Sequence, residues 1–323
     1  MRRLKIVPDQ TNINFFKYAR ATFGASVVAV ILSLGIWLAM GLNFGIDFLG
    51  GTTIRTESAQ AVDIAAYRAA MEPLGLGDVT ITEVFDPTFG ADRNVAMVRI
   101  QAQEGAESVT PEIILAVEAA LQAVAPDMTF PSVESVGPKV SGELITTAVL
   151  AVAASLGAIL IYIWLRFEWQ FSVGAVAALI HDVILTIGVF SLLQIRFDLA
   201  TIAALLTIIG YSINDTVVIF DRLRENLIKY KSRDLRDVMN LSANETLSRT
   251  LMTSGTTLVA LLALLVLGGD VIRGFVFAIF WGVIVGTYSS IYVAKNVVLM
   301  IGVKRDWSKP DAPTGTQFSN IDA

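Results

Sequence analysis

Six stretches of this chain are apolar and run for roughly 20 residues each, the length a helix needs to cross the hydrocarbon core of a bilayer. They fall at 21–40, 144–165, 171–193, 199–220, 248–267 and 274–300. A backbone in lipid must satisfy its own hydrogen bonds, and helices do so within one segment. The expected fold class is therefore an α-helical membrane protein with six transmembrane helices. The composition agrees, with 54% of residues hydrophobic and 16% charged. Cysteine is absent and histidine occurs once, so disulfides, thiolate chemistry and histidine-rich metal sites are excluded.

Charge placement orients the spans. Arg2, Arg3, Lys5, Lys17 and Arg20 precede the first one. Ala39-Met40-Gly41 resembles a signal-peptidase site, but the apolar core is too long for a signal peptide, and the segment reads as an uncleaved anchor. Further basic residues lie between spans four and five (Arg222, Arg224, Lys229, Lys231, Arg233, Arg236) and after span six (Lys304, Arg305, Lys309). Both termini are thus expected on the cytoplasmic side. That leaves a cytoplasmic segment at 1–20, a basic loop at 221–247 and a tail at 301–323, with residues 41–143 outside.

The outer segment has about three carboxylates for every basic residue, and is long enough to fold as a domain. Strands are expected at 51–58, 79–85, 94–103 and 128–136, and helices at 62–74 and 110–124. Thr110 and Pro111 suit an N-cap and first helical position, and Asp86-Pro87 suits a turn. The order β-α-β-β-α-β is that of a ferredoxin-like α+β unit. Asp47, Gly50 and Gly51 follow span one, and Gly137 and Pro138 precede span two with Ser141 as a candidate cap. These positions read as a turn and cap or as a functional hinge.

Within the spans, polar residues group at helical spacing. Tyr211, Asn214 and Asp215 share a face of span four with Thr207. Arg249, Thr253, Thr256 and Thr257 line span five beside Ser254. His181, Asp182 and Thr186 form a patch on span three, and Gly282-Val283-Ile284-Val285-Gly286 on span six is a close-packing pattern. An intramembrane carboxylate is costly and normally serves ions, protons or substrate. Asp215 and Arg249 sit on antiparallel helices at comparable depth, so a paired–unpaired cycle linked to a proton on Asp215 is the leading expectation. Asp215 also fits a purely structural ion pair, and Arg249 could snorkel to lipid phosphates. His181–Asp182 fits a helix-packing hydrogen bond equally well, and the threonines read more readily as helix glue. No phosphate-binding loop is present, so direct ATP use is not expected. Nothing points to a cofactor, a metal or nucleic acid.

Several of these segments, in this order, closely resemble the SecF branch of the SecD/SecF protein-export membrane proteins, within the RND superfamily. They are Gly45-Ile46-Asp47-Phe48-Leu49-Gly50-Gly51-Thr52, Val136-Gly137-Pro138-Lys139-Val140-Ser141, His181-Asp182, the run Gly210 to Asn226, and Asn244-Glu245-Thr246-Leu247-Ser248-Arg249-Thr250. The resemblance implies one half of an RND-type transporter with a periplasmic domain after the first span, in the bacterial inner membrane. It implies SecD as the other half, the SecYEG translocon and YajC as neighbours, and an unfolded secretory polypeptide as cargo drawn by the proton-motive force. Asp215 and Arg249 match the positions this family uses for proton coupling. Other readings are an RND-like carrier of lipid or small molecules, or a non-transporting scaffold of a translocon. An intramembrane hydrolase using Asp182 and Asp215 lacks the usual companion motifs, so no enzyme activity is expected.

Overall fold

The structure, a computed structural model, describes residues 11–77, 79–84, 93–101 and 109–303. Arg2, Arg3, Lys5, the Asp86-Pro87 turn and the tail after residue 303 lie outside them. Helix α1 (Ala19–Met40) leads through strand β1 (Asn43–Phe44) and the short helix α2 (Ile46–Leu49) into the α+β domain. There, β2 (Gly51–Ser58), α3 (Ile64–Met71), β3 (Val79–Val84), β4 (Asn94–Gln101), α4 (Pro111–Val124) and β5 (Thr129–Val136) follow in turn.

The four strands are antiparallel in the order β3-β4-β2-β5, the ferredoxin-like arrangement. Alternation along β2 and β4 turns Ile54, Ala96, Val98 and Ile100 onto Tyr67, Val117 and Leu121 of the two helices, and all seven are at most 2% exposed. Asp63 caps α3 by accepting the Ala66 amide at 3.0 Å. Thr110 holds the N-cap backbone position of α4 with Pro111 behind it, but makes no side-chain cap bond.

Helices α5 (Pro138–Arg166), α6 (Trp169–Leu193), α7 (Leu199–Lys229), α8 (Leu235–Leu267) and α9 (Asp270–Ser289) complete the bundle, with β6 (Arg196–Phe197) between α6 and α7. A π-helical turn, Ser290–Ala294, joins α9 to α10 (Lys295–Ile301). Counting α9 to α10 as one span, six helices are long and apolar enough to cross a membrane. The most enclosed are α6 and α7, with α1 and α5 at the periphery. Close approach depends on missing side chains. A Cβ on Gly174 would sit 2.8 Å from the Ala294 carbonyl oxygen, and one on Gly286 would sit 3.0 Å from Ser212 Cβ.

Two segments differ from the sequence reading. Residues 221–247, read from their charges as a loop, are helical except at 230–234. Charge ends an apolar run without ending a helix, and intrahelical pairs such as Arg222–Glu225 at 2.7 Å support its polar end. Helix α5 begins at Pro138, well before the apolar run, because proline suits a first helical position and Gly137 takes the cap. Ser141 is therefore no cap, and its hydroxyl donates to the Gly137 carbonyl at 3.2 Å.

The segment before α1 folds back over the bundle end remote from the domain. Asn244 accepts the Ile13 amide and donates to the Ile13 carbonyl, both at 2.8 Å, and Asn240 accepts the Phe15 amide at 2.9 Å. Phe15 and Phe16 are buried beneath this clamp, with Lys295 Nζ 4.7 and 5.2 Å from their ring centres.

Candidate functional site

Helix α7 starts where the α+β domain is rooted. Its cap is Asp198, whose carboxylate accepts the Thr201 amide at 3.0 Å in a reciprocal capping box. Beside it, β1 and β6 pair in parallel, and Asp47 Oδ2 accepts the Leu199 amide at 3.0 Å. Gly50 and Gly51 have φ of 74° and 121°, backbone that favours glycine, and they turn the chain from α2 into the sheet. Gly137 has an ordinary φ of −74°.

Asp215 lies about 24 Å along α7 from Leu199, at 1.5 Å per residue, and is 3% exposed. Its one hydrogen bond among the described residues is long, from Ser254 Oγ on α8 at 3.5 Å. Ser254 Oγ also lies 2.7 Å from Thr287 Oγ1 on α9. Three helices therefore meet at a carboxylate that is enclosed but weakly held.

Arg249 does not close on it. Among the described residues the two form no ion pair, although Asp215 is within Coulombic reach of the guanidinium. Arg249 is exposed and lines a cavity of about 540 Å³ at the bundle end remote from the domain. The cavity wall is laced by ion pairs. Arg166 meets Asp221 at 3.0 Å, and Arg222 meets Glu245 and Glu225 at 2.7 Å each. An exposed guanidinium thus lines the charged vestibule, within Coulombic reach of the enclosed acid.

The other sequence candidates separate. Tyr211 donates to Thr257 Oγ1 at 3.2 Å, whereas Asn214 faces outward. Thr253 and Thr256 donate to carbonyls of their own helix, Thr250 at 3.0 Å and Met252 at 2.8 Å. That bonding suits packing rather than an ion path. His181 and Asp182 are buried together, with Asp182 Oδ1 3.0 Å from His181 Nδ1. Asp182 Oδ2 accepts from Ser212 at 2.7 Å and Ser289 at 2.8 Å, which ties α6 to α7 and α9. Sequence reasoning missed Thr287 and Lys295. Lys295 carried a usable signal, because a lysine inside an apolar span marks itself by the rule that singles out Asp215. Thr287 carried none, since its role depends on which helix faces Asp215.

A ferredoxin-like domain inserted after the first of six spans, with a buried acid where the fourth, fifth and sixth meet, defines a multi-pass membrane protein shaped as one half of an RND-type transporter. Two family models match: "Protein export membrane protein SecD/SecF, C-terminal" over residues 116–304, and "SecD/SecF GG Motif" over residues 35–62. The chain belongs to the SecF family of protein translocase subunits. It is 69% identical over 321 residues to protein translocase subunit SecF of Cereibacter sphaeroides, with 99% of each chain covered. The identity to SecF of Rhodobacter capsulatus is 63% over 324 residues, covering 98% of this chain and 97% of that one. Among solved structures, it is similar to SecDF of Thermus thermophilus, described as a translocon-associated membrane protein, at 39% identity and a TM-score of 0.80. SecDF in a super-membrane-facing form matches at 41% identity with a TM-score of 0.66. These comparisons cover 92% and 90% of this chain and 39% of each solved chain.

Proposed function

We propose that this chain pairs with a SecD-type half in the bacterial inner membrane, both termini cytoplasmic, and that the pair uses the proton-motive force to help draw unfolded secretory polypeptides through the SecYEG channel, with YajC alongside. The observation that carries this reading is Asp215, a carboxylate enclosed within a membrane span, held by one 3.5 Å hydrogen bond and left unpaired by the arginine nearest in role. Asp182, by contrast, is held by His181, Ser212 and Ser289 at 2.7–3.0 Å. Movement of Arg249 toward or away from Asp215 changes the acid's proton affinity, so uptake and release follow the helix arrangement. Moving one charge through the field supplies about 2.3 kcal/mol per 100 mV, enough to bias conformers a few kcal/mol apart.

A second half is supported by the outward polar face. Asn214 is exposed on the chain alone, and lipid would leave its side-chain amide without hydrogen-bond partners, whereas the exposed Thr207 and Thr256 donate to carbonyls of their own helices. The periplasmic α+β domain, rooted at α7 through Asp47, is the element that reports the protonation state to the polypeptide. The test is export of a secretory substrate into vesicles carrying Asp215→Asn or Arg249→Met complexes, with and without a proton gradient. Loss of gradient stimulation with assembly intact supports the reading. Full stimulation in both variants overturns it and leaves the scaffold reading, and transport of lipid or drug without effect on export favours the carrier reading.

A further inference from the structure

Nε2 of His181 is a buried polar atom with no hydrogen-bond partner among the described residues. The residue is 5% exposed and sits in the interior of α6. Its other nitrogen, Nδ1, lies 3.0 Å from Asp182 Oδ1. A carboxylate is an acceptor only, so that contact makes Nδ1 the proton-bearing nitrogen and leaves Nε2 with a free lone pair in the neutral ring. The remaining Asp182 oxygen is filled by the Ser212 and Ser289 hydroxyls at 2.7 and 2.8 Å. All the donors stand around the carboxylate, and the single vacant position is on the imidazole.

Charge bookkeeping gives this vacancy a ligand. With neutral His181 and ionised Asp182, the dyad carries one net negative charge inside a membrane span, the arrangement lipid penalises most. One proton on Nε2 turns it into an imidazolium–carboxylate pair of zero net charge, with no bond broken and no other group altered. We propose that the His181–Asp182 dyad is a second intramembrane proton-binding site, with Nε2 of His181 as the position that takes the proton and Asp182 as its fixed counter-charge. This deepens the proton-driven reading above and rests on it for its place in a working cycle.

The surroundings isolate the dyad from other charges while joining it to the first site. On α9, Tyr288 stacks on the imidazole at 6.2 Å, with Tyr292 beyond it at 5.1 Å. The Tyr288 hydroxyl is engaged with α1, donating to the Thr22 carbonyl at 2.9 Å and lying 3.0 Å from Ser26 Oγ. The charged residues of the packed helices with described side chains are Arg20 at the start of α1, Lys139, Glu143 and Arg166 near the ends of α5, Asp215 with the end charges of α7, Arg273 near the start of α9, and Lys295 on α10. Asp182 is the one carboxylate bonded to the imidazole among the described residues. The link to Asp215 runs through two helices. Ser212 is one turn from Asp215 on α7, and Ser289 is two residues from Thr287, which meets Ser254 and through it Asp215. Both serines hold the carboxylate whose charge Nε2 would balance, so occupancy of one proton site bears on the helices that frame the other.

His181 is the only histidine in the chain, which makes it a single-site reporter. The full chain, carrying a purification tag without histidine, is labelled with 15N-histidine, placed in lipid bilayers and followed by solid-state NMR from about pH 4 to 9, a range bracketing ordinary imidazole titration. The expected result is one Nε2 resonance that changes from unprotonated to protonated while Nδ1 stays protonated throughout, and loss of that change in Asp182→Asn. A ring that keeps Nε2 unprotonated across the range overturns the proposal, as does a titration unaltered by Asp182→Asn in a folded chain. The unmodified chain decides the first point even where the variant does not fold. Export assays separate the two proposals. A silent His181 with gradient stimulation abolished by Asp215→Asn sinks this site alone. A titrating His181 with stimulation intact in Asp215→Asn keeps the site and removes the coupling role of Asp215.

Discussion

Asp47 and Leu199 join the root of the α+β domain to the helix that carries the buried acid. The Asp47 carboxylate accepts the first amide of α7 at 3.0 Å, 152 residues away along the chain. A helix N-terminus presents unpaired N–H groups and a partial positive charge, so an external carboxylate both satisfies and orients it. The bond seats α2, which packs against β2, β4 and β5 of the domain, on the first turn of α7. Asp47→Ala is expected to cost about 1 kcal/mol of stability, in the range of a lost helix cap. It should also lower export more than that loss explains. Thermal unfolding in detergent, read beside the export rate, separates the two effects, and unchanged export in a folded variant would count against the linkage.

Ser254 is the only side chain bonded to Asp215 among the described residues. Ser254→Ala should leave assembly intact, because a single 3.5 Å bond contributes little, on the order of 1 kcal/mol or less. It should nevertheless shift the pH dependence of gradient-driven export, since it alters the solvation of the acid. An export profile superimposable on the parent would remove Ser254 from the site.

Gly188 and Gly282 permit helix contacts that no side chain could share. A Cβ on Gly188 would meet the backbone and side chain of Ser33 on α1, and one on Gly282 would meet Ile208 on α7. Overpacking of this kind typically costs about 1–3 kcal/mol. Gly188→Ala should be the worse of the two, because Ser33 Cα, at 2.8 Å, is backbone and cannot swing aside. Melting temperatures of the two variants in bilayer nanodiscs give the order directly, and equal melting points would refute it.

The α+β domain should weaken in acid. Hydrogen bonds from Arg93, at 2.7 and 2.9 Å, hold the Glu57 carboxyl below the ordinary carboxylate range, and the Ala59 amide at 2.6 Å does the same for Asp127. A carboxyl whose value falls on folding stabilises the fold above its unfolded value, near pH 4, and loses that contribution as pH drops through the folded value. Hydrogen exchange of β2 and β4 amides, corrected for intrinsic rate, should therefore accelerate below about pH 4. Glu57→Gln should blunt the acceleration, and an identical profile in the variant would assign the effect elsewhere.

Much of this molecule was legible in the residues, for identifiable reasons. Hydropathy located the six spans, and alternation with helix-start signals located the strands and helices of the domain, because both are local properties. The helical stretches on either side of 230–234 were hidden, since charged residues such as Arg222 and Glu245 end hydropathy without ending helicity. Asp215 announced itself as a carboxylate in an apolar run. The sequence could not reveal that Ser254 rather than Arg249 touches it, or that Asp182 gathers Ser212 and Ser289, because those contacts depend on helix rotation and crossing. Arg249 lies on the expected helix yet is exposed to the cavity of about 540 Å³, a distinction of side-chain direction that spacing does not encode.

The clamp formed by Asn244 on Ile13 also closes late in synthesis. Its partners are separated by 231 positions, and a ribosome adding about 5–20 residues per second leaves them apart for roughly 10–50 s. Throughout that interval Phe15 and Phe16 have no seat, and the first helix is threaded into lipid with its leading aromatics uncovered. The seat is complete only once α10 also brings Lys295 against the two rings.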